Sequence, residues 1–254
     1  MSLGKSGFLK KQALVRIILM TLIFSQVILL LSACASIYIS PLSLKKFDNI
    51  LYRCKLQAPT SRFNKKYSCK YGKLLKCANK YFYLQDNKYM TFYMCGKKHR
   101  SELRFKDIWK TSTKKPKILK VTLKIKPINC FEFTFIQIHS YPAKKTSLNK
   151  PLVRLAWLKE KHKIKNHIWA VIRINTSKKH GKHSFIDLGK IPLTFFSIKI
   201  KVIRNKLSIF LNGKIKLIKD VSYWQQYYNY FKIGVYLQTK GCAKTEIDNI
   251  MVKY

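Results

Sequence analysis

Carboxylates are the scarcest chemistry in this chain. Ten Asp and Glu stand against 52 Lys and Arg in 254 residues, a formal net charge of +42. A partner selected by long-range electrostatics must therefore be polyanionic, because steering follows the sign of the summed charge. Nucleic acid, anionic lipid and acidic polysaccharide all meet that condition. The excess is mostly lysine and travels with abundant Ile, Asn, Phe and Tyr, so a lysine-rich coding bias accounts for the same balance without any partner.

Other absences narrow the field. No CxxC pair is present, which removes the usual spacing of a structural zinc site. There is no Gly/Ser-rich linker, repeat or heptad pattern, so one continuous domain is expected rather than an array or a coiled coil. Helical periodicity is scarce, and a single turn is expected near "SYWQQYYNY", residues 222–230. The longest apolar run, "IILMTLIFSQVILLL" at 17–31, is short for a comfortable membrane span.

That run follows Lys5, Lys10, Lys11 and Arg16, with no acid among residues 1–16, which reads as a secretory signal. It ends in "LSAC", Leu31 to Cys34, which resembles the lipobox of bacterial lipoproteins. The resemblance implies a signal peptide over 1–33, lipidation of Cys34, a tether over 34–45, and membrane attachment through that lipid. The location implied is the cell envelope, periplasmic or outer-membrane, and Ala35 is compatible with outer-membrane sorting. An ordinary signal peptide cut nearby, or an uncleaved anchor, exports the domain equally well. Export argues against nucleic acid as the partner. Six of the seven cysteines remain beyond Cys34, enough for up to three disulfides whose pairing the spacing leaves open.

What is present is strand pattern, in a chain with 47% hydrophobic and 13% aromatic residues. "KILKVTLKIKPI", "FEFTFIQIH", "HIWAVIRIN", "FFSIKIKVIRNKLSIFLNGKIKLI" and "YFKIGVYLQ" alternate or run β-branched and aromatic, and turn chemistry such as "LNGK" and "KKHGKH" separates them. The expected fold over 46–254 is all-β: a β-sandwich of jelly-roll type, two antiparallel sheets, with one concave polar face forming a groove.

Strand parity sorts the polar residues onto faces. In "RSELRF", Arg100, Glu102 and Arg104 share a face opposite Ser101, Leu103 and Phe105. In "FIQIHS", Gln137 and His139 lie opposite Ile136 and Ile138. In "YFKIGVYLQ", Tyr230, Lys232, Gly234, Tyr236 and Gln238 lie opposite Phe231, Ile233, Val235 and Leu237. Each stretch alone is compatible with a structural histidine or a solvated charge ladder.

Together the three stretches resemble polysaccharide lyase family 7, the alginate lyases of jelly-roll fold, whose signature strands read approximately R-[ST]-E-L-R, Q-I-H and Y-F-K-A-G-x-Y-x-Q. "KKFDNILYRCKLQAPT", "KPLVRLAW" and "KLSIFLNGK" extend the resemblance over about 46–254. Ile233, Leu237 and Phe105 depart from the family's usual Ala, Asn and Glu, and parity places all three on the packing face. The resemblance implies β-elimination on an acidic polysaccharide, alginate or a related polyuronate. Arg104 and Gln137 would neutralise the uronate carboxylate, His139 would take the C5 proton, and Tyr236 would protonate the leaving O4. Arg100, Glu102, Tyr230, Lys232 and Gln238 would serve the neighbouring sugar units, with Glu102 holding the arginines. No metal or other cofactor is implied, "HGKH" at 180–183 reads as a loop, and a monomer is expected. A non-catalytic envelope lipoprotein gripping acidic polysaccharide, and a basic structural protein adhering to anionic lipid or cell-wall polymer, are the rival readings.

Overall fold

The structure is a computed structural model that describes Met20 and residues 38–59, 67–144 and 147–254. Cys34 and nearly all of the expected signal peptide lie outside the described residues. Residues 38–254 form one compact unit.

The described residues contain fifteen strands: β1 (Cys54–Gln57), β2 (Phe82–Gln85), β3 (Tyr89–Gly96), β4 (Arg100–Phe105), β5 (Trp109–Lys110), β6 (Lys117–Ile128), β7 (Glu132–Ser140), β8 (Pro151–Lys161), β9 (Ile164–Arg173), β10 (His183–Lys190), β11 (Phe196–Ile203), β12 (Lys206–Leu211), β13 (Lys214–Asp220), β14 (Tyr228–Leu237) and β15 (Gly241–Lys253). They build a β-sandwich of jelly-roll type. The first sheet runs β1-β4-β14-β7-β8-β9-β10, with β5 pairing β14, and the second runs β13-β12-β11-β6-β15-β3-β2. All the pairings are antiparallel.

The alternation seen in the sequence is the alternation of burial. In β6, Leu119, Val121, Leu123 and Ile125 are buried while Lys120 is exposed. Across the sandwich, Leu103, Phe105, Ile136, Ile138, Ile233 and Val235 of the first sheet meet that core. Phe105, Ile233 and Leu237, where the sequence departs from the family pattern, are at most 1% exposed, as parity required. The "LNGK" hairpin joins β12 to β13 through Asn212 and Gly213, both in the left-handed region with φ +49° and +79°. That is the backbone a two-residue hairpin needs to match strand twist.

Two features differ from the sequence-based expectation. Residues 38–45 are not a free tether: Leu42 is buried, Ser40 Oγ accepts from Leu42 N and donates to Leu74 O, and Leu84 N donates to Ile39 O. A short helix, α1 (Asp48–Leu51), buries Ile50 and Leu51 in a stretch too brief to show helical periodicity. The expected turn near residue 222 is a 3-10 helix over Ser222–Trp224. Cys69–Cys77 and Cys95–Cys242 form disulfides, while Cys54 and Cys130 are free and buried. Cys95 and Cys242 stand directly opposite in the β3–β15 register, a proximity that cysteine spacing does not reveal.

Candidate active site

Strand β14 lies between β4 and β7, so the three sequence motifs become neighbours. On one side Lys232 is opposite Arg104, Gly234 opposite Glu102, and Tyr236 opposite Arg100. On the other, Lys232 is opposite Gln137 and Tyr230 opposite His139. A register shift between Ile233 and Tyr236 sets Gly234 and Val235 against Phe135 alone, which places Thr134 beside Tyr236. Gly234 has φ +142°, and a Cβ there would lie 2.2 Å from Ser101 O and 2.8 Å from Glu102 Cα. Only glycine permits β14 to approach β4 so closely at this point.

Gln137 belongs to the floor of the site and Glu102 and Lys232 lie beneath it, each of the three 1–2% exposed. Gln137 Nε2 donates to Glu102 Oε1, and Lys232 Nζ donates to Glu102 Oε2. Arg100 NH1 stands 3.8 Å from the same Oε2. Buried charges persist only where partners replace water, and this carboxylate collects them. Burial lowers the Lys232 pKa to about 8, with Glu102 opposing that fall and Arg100 and Arg104 adding to it.

His139 stands above this layer. Its Nδ1 is 2.9 Å from Ser140 O and 3.3 Å from the Tyr230 hydroxyl. A carbonyl oxygen only accepts, so the Nδ1 proton is assigned to that bond and Nε2 keeps its lone pair. The His139 pKa falls to about 3, first through burial and then through Lys232, Arg100 and Arg104, while the bond to Ser140 works in the opposite direction. Tyr230 stacks on the His139 ring at 5.4 Å between centroids, and burial raises its pKa to about 12. It is therefore a protonated phenol throughout the neutral range.

The two arginines of "RSELR" divide between two cavities. Arg100, over the Tyr236 ring at 4.3 Å, lines a cavity of about 450 Å³ together with Gln137, His139, Tyr236 and Gln238. Arg104 lies 4.1 Å from the Tyr230 ring and 5.5 Å from Tyr141, and lines a neighbouring cavity of about 400 Å³ with Lys55, Tyr71 and Lys106. Arg104 does not pair directly with Gln137, contrary to the sequence-based expectation, because Lys232 stands between them in the cross-strand row. Glu102 and Lys232 also move, from expected sugar contacts to the layer below. Glu102 bonds Gln137 and Lys232, approaches only Arg100 of the two arginines, and does not hold Arg104.

Several lining residues were not singled out from the sequence. Arg154 of β8 stands opposite Gln137 and donates to Glu132 Oε1 at 2.8 Å and Thr134 Oγ1 at 3.0 Å. Thr134 in turn donates to Gln238 Oε1 at 3.1 Å. Arg173 and His183 close the same cavity, and burial followed by these two arginines lowers the His183 pKa. Arg154 lies within "KPLVRLAW", yet only the β7–β8 register shows that it faces the site. Among the described residues, no three His, Cys, Asp or Glu side chains gather as metal ligands.

Residues 51–253 match the family profile described as alginate lyase. The chain belongs to the alginate lyase family. An alginate lyase from Photobacterium sp. (strain ATCC 43367) is 30% identical over 142 residues, covering 47% of this chain and 49% of that protein. The chain thus matches about half the length of that relative. Among solved structures, alginate lyase AlyC3 is 25% identical with a TM-score of 0.77, covering 85% of this chain and 95% of that one. Alginate lyase A1-II', a member of polysaccharide lyase family 7, shares the fold at 21% identity and a TM-score of 0.65, over 82% of this chain and 96% of that one.

Proposed function

We propose that this member of the alginate lyase family cleaves an alginate-type polyuronate by β-elimination. The observation that carries the reading is the single cavity lined by Arg100, Gln137, His139 and Tyr236. A site that only bound polyanion would need the cations but neither a neutral imidazole nor a phenol facing the same space. AlyC3 has also been solved in complex with dimannuronate, which supports an acidic sugar polymer as the substrate.

The C5 proton of a uronate is weakly acidic while the adjacent carboxylate carries full charge. Arg100 and the second N–H of Gln137 offer that carboxylate a cation and a neutral donor, prepositioned for the charge that develops on it. Arg104 faces the next sugar from the neighbouring cavity. His139 Nε2 takes the C5 proton, the C5 electron pair forms the C4=C5 double bond, and the C4–O4 bond breaks. Tyr236 gives its hydroxyl proton to O4. Where the C5 proton and O4 lie on the same side of the ring, Tyr236 can serve as base and acid in turn. The depressed His139 pKa keeps the base unprotonated, and an arriving carboxylate raises it again by placing a negative charge nearby.

Purified protein incubated with alginate, polymannuronate, polyguluronate or glucuronan is expected to generate the ultraviolet absorbance of the unsaturated product. Binding without product on every polymer would replace the lyase by a polysaccharide-binding protein. Export and lipidation at Cys34 belong to the same proposal, supported by the basic and apolar leader and by "LSAC", and a monomeric state is proposed with them. Cys34→Ala is expected to abolish incorporation of labelled fatty acid, and size-exclusion chromatography measures the oligomeric state.

A further inference from the structure

The elimination just described uses neither Glu102 nor Lys232, although these charged side chains lie directly under the reacting groups, each 1% exposed. We infer that Glu102 and Lys232 are positioning residues that fix the orientation of the Gln137 amide, and so the place of the N–H that it offers the sugar carboxylate. The inference deepens the lyase reading and rests on it.

A glutamine amide has a donor end and an acceptor end of nearly equal size, and packing alone does not choose between them. A carboxylate chooses, because it only accepts. With Glu102 Oε1 against the amide, the Nε2 end must turn inward, one of its protons bonds to Glu102, and the second remains for a ligand. A flipped amide would set oxygen against oxygen in a water-poor layer. Because a flip exchanges nitrogen and oxygen, it would also move the second N–H from the place where the cluster holds it, and with it the donor that the developing carboxylate charge needs.

Lys232 makes this arrangement tolerable. It stands opposite Gln137 on β7 and opposite Arg104 on β4, and its ammonium bonds to Glu102 Oε2. Oε1 is thereby left to the amide. The other charged or titratable groups facing this layer are Arg100 and Arg104 on β4, His139 on β7, Arg154 on β8 directly opposite Gln137, and Tyr230 on the same strand as Lys232. Among them Glu102 is the one carboxylate. Arg100 NH1, at 3.8 Å from Oε2, is held near the same anion. One buried carboxylate thus sets the aim of both groups that receive the substrate's charge.

The test begins with Glu102→Gln. The new amide meets both Gln137 Nε2 and Lys232 Nζ but offers one oxygen, so the Gln137 orientation is no longer imposed. The expected result is about a 100-fold fall in kcat, the scale of one misdirected donor at a charge-developing oxygen, with KM little changed. The alkaline limb of kcat should also move to lower pH, since Lys232 loses the charge that opposed its desolvation. A rise in KM at constant kcat would overturn the inference, because it would make Glu102 a direct sugar contact.

The exchange Glu102→Gln with Gln137→Glu keeps an acid, an amide and Lys232 in one cluster. It is expected to recover thermal stability but not kcat, and recovery of both would reduce the pair to a structural role. Lys232→Arg, which preserves the charge, is expected to retain more activity than Lys232→Met.

A readout independent of turnover is the Gln137 side-chain amide resonance in NMR. It is expected to titrate with Lys232, near pH 8 in the wild type, and to lose that titration in Lys232→Met. An amide signal indifferent to pH and to Lys232→Met would overturn the inference. If the wild type makes no product from any polyuronate, the lyase reading fails, while this measurement still decides whether the amide is held as described.

Discussion

Cation faces cation on both sheets of this sandwich, with opposite outcomes. On the outer face of the second sheet, Lys120 of β6 stands directly opposite Lys199 of β11. Lys199 rests over the Phe210 ring at 3.9 Å, and neither lysine has a carboxylate partner among the described residues. On the first sheet, Lys232 stands opposite Arg104, but that lysine is buried and bonded to Glu102. Water weakens the repulsion of the first pair and salt screens it further, so the strands need no acid there. In the second pair Lys232 is shut away from water, and one of the chain's ten acidic residues is placed beside its ammonium. With acids so rare, the position of Glu102 indicates where charge has to be controlled rather than merely dissolved.

The comparison can be broken directly by making one substitution on both sheets. Lys232→Met leaves Glu102 buried without its ammonium and is expected to cost about 3–5 kcal/mol of stability in denaturant unfolding. Lys120→Met, in solvent, is expected to stay within about 0.5 kcal/mol. Equal losses at the two sites would mean that burial does not separate them. His139→Ala is expected to lower kcat by about 10³-fold, the range of a lost general base, with polymer binding largely kept. Binding lost in proportion to turnover would instead make His139 a wall of the cavity.

The pH response sharpens the contrast further. Because His139 is near 3 in the fold and near 6.5 in the open chain, unfolding takes up a proton between those values. The contribution is complete above about pH 6.5 and is lost as pH falls toward about 3, so His139→Ala should flatten stability against pH in that window. The acid limb of kcat/KM should likewise lie below the ordinary histidine range. The smallest effect belongs to the outer face. The double change Lys120→Gln with Lys199→Gln should leave kcat unchanged and shift the melting temperature slightly upward at low salt only, as relief of a screened repulsion requires.

Much of the fold is legible in the chain because strand alternation is local. Leu119 and Lys120 point apart whatever strand lies beside them, and Asn212–Gly213 announces its hairpin. The same parity placed Gln137 and His139 on one face and Phe105, Ile233 and Leu237 on the other. It could not show that residues 38–45 pack into the domain, since Leu42 is an isolated apolar residue without a period. It also missed that Arg154, within "KPLVRLAW", and Tyr71, in a turn that carries no motif, reach the two cavities.

The sequence by itself determined the two-faced strands, the excess of positive charge and the set of polar residues sharing one face. Each of these follows from a residue and its immediate neighbours. Tertiary structure decided which of those residues touch. Cross-strand register, set by the whole sandwich, put Arg100 rather than Arg104 in the cavity of Gln137, His139 and Tyr236, and paired Cys95 with Cys242 across 147 residues. It also lowered Glu102 and Lys232 beneath the floor, where exclusion of water turns a surface ion pair into a fixed support for the Gln137 amide.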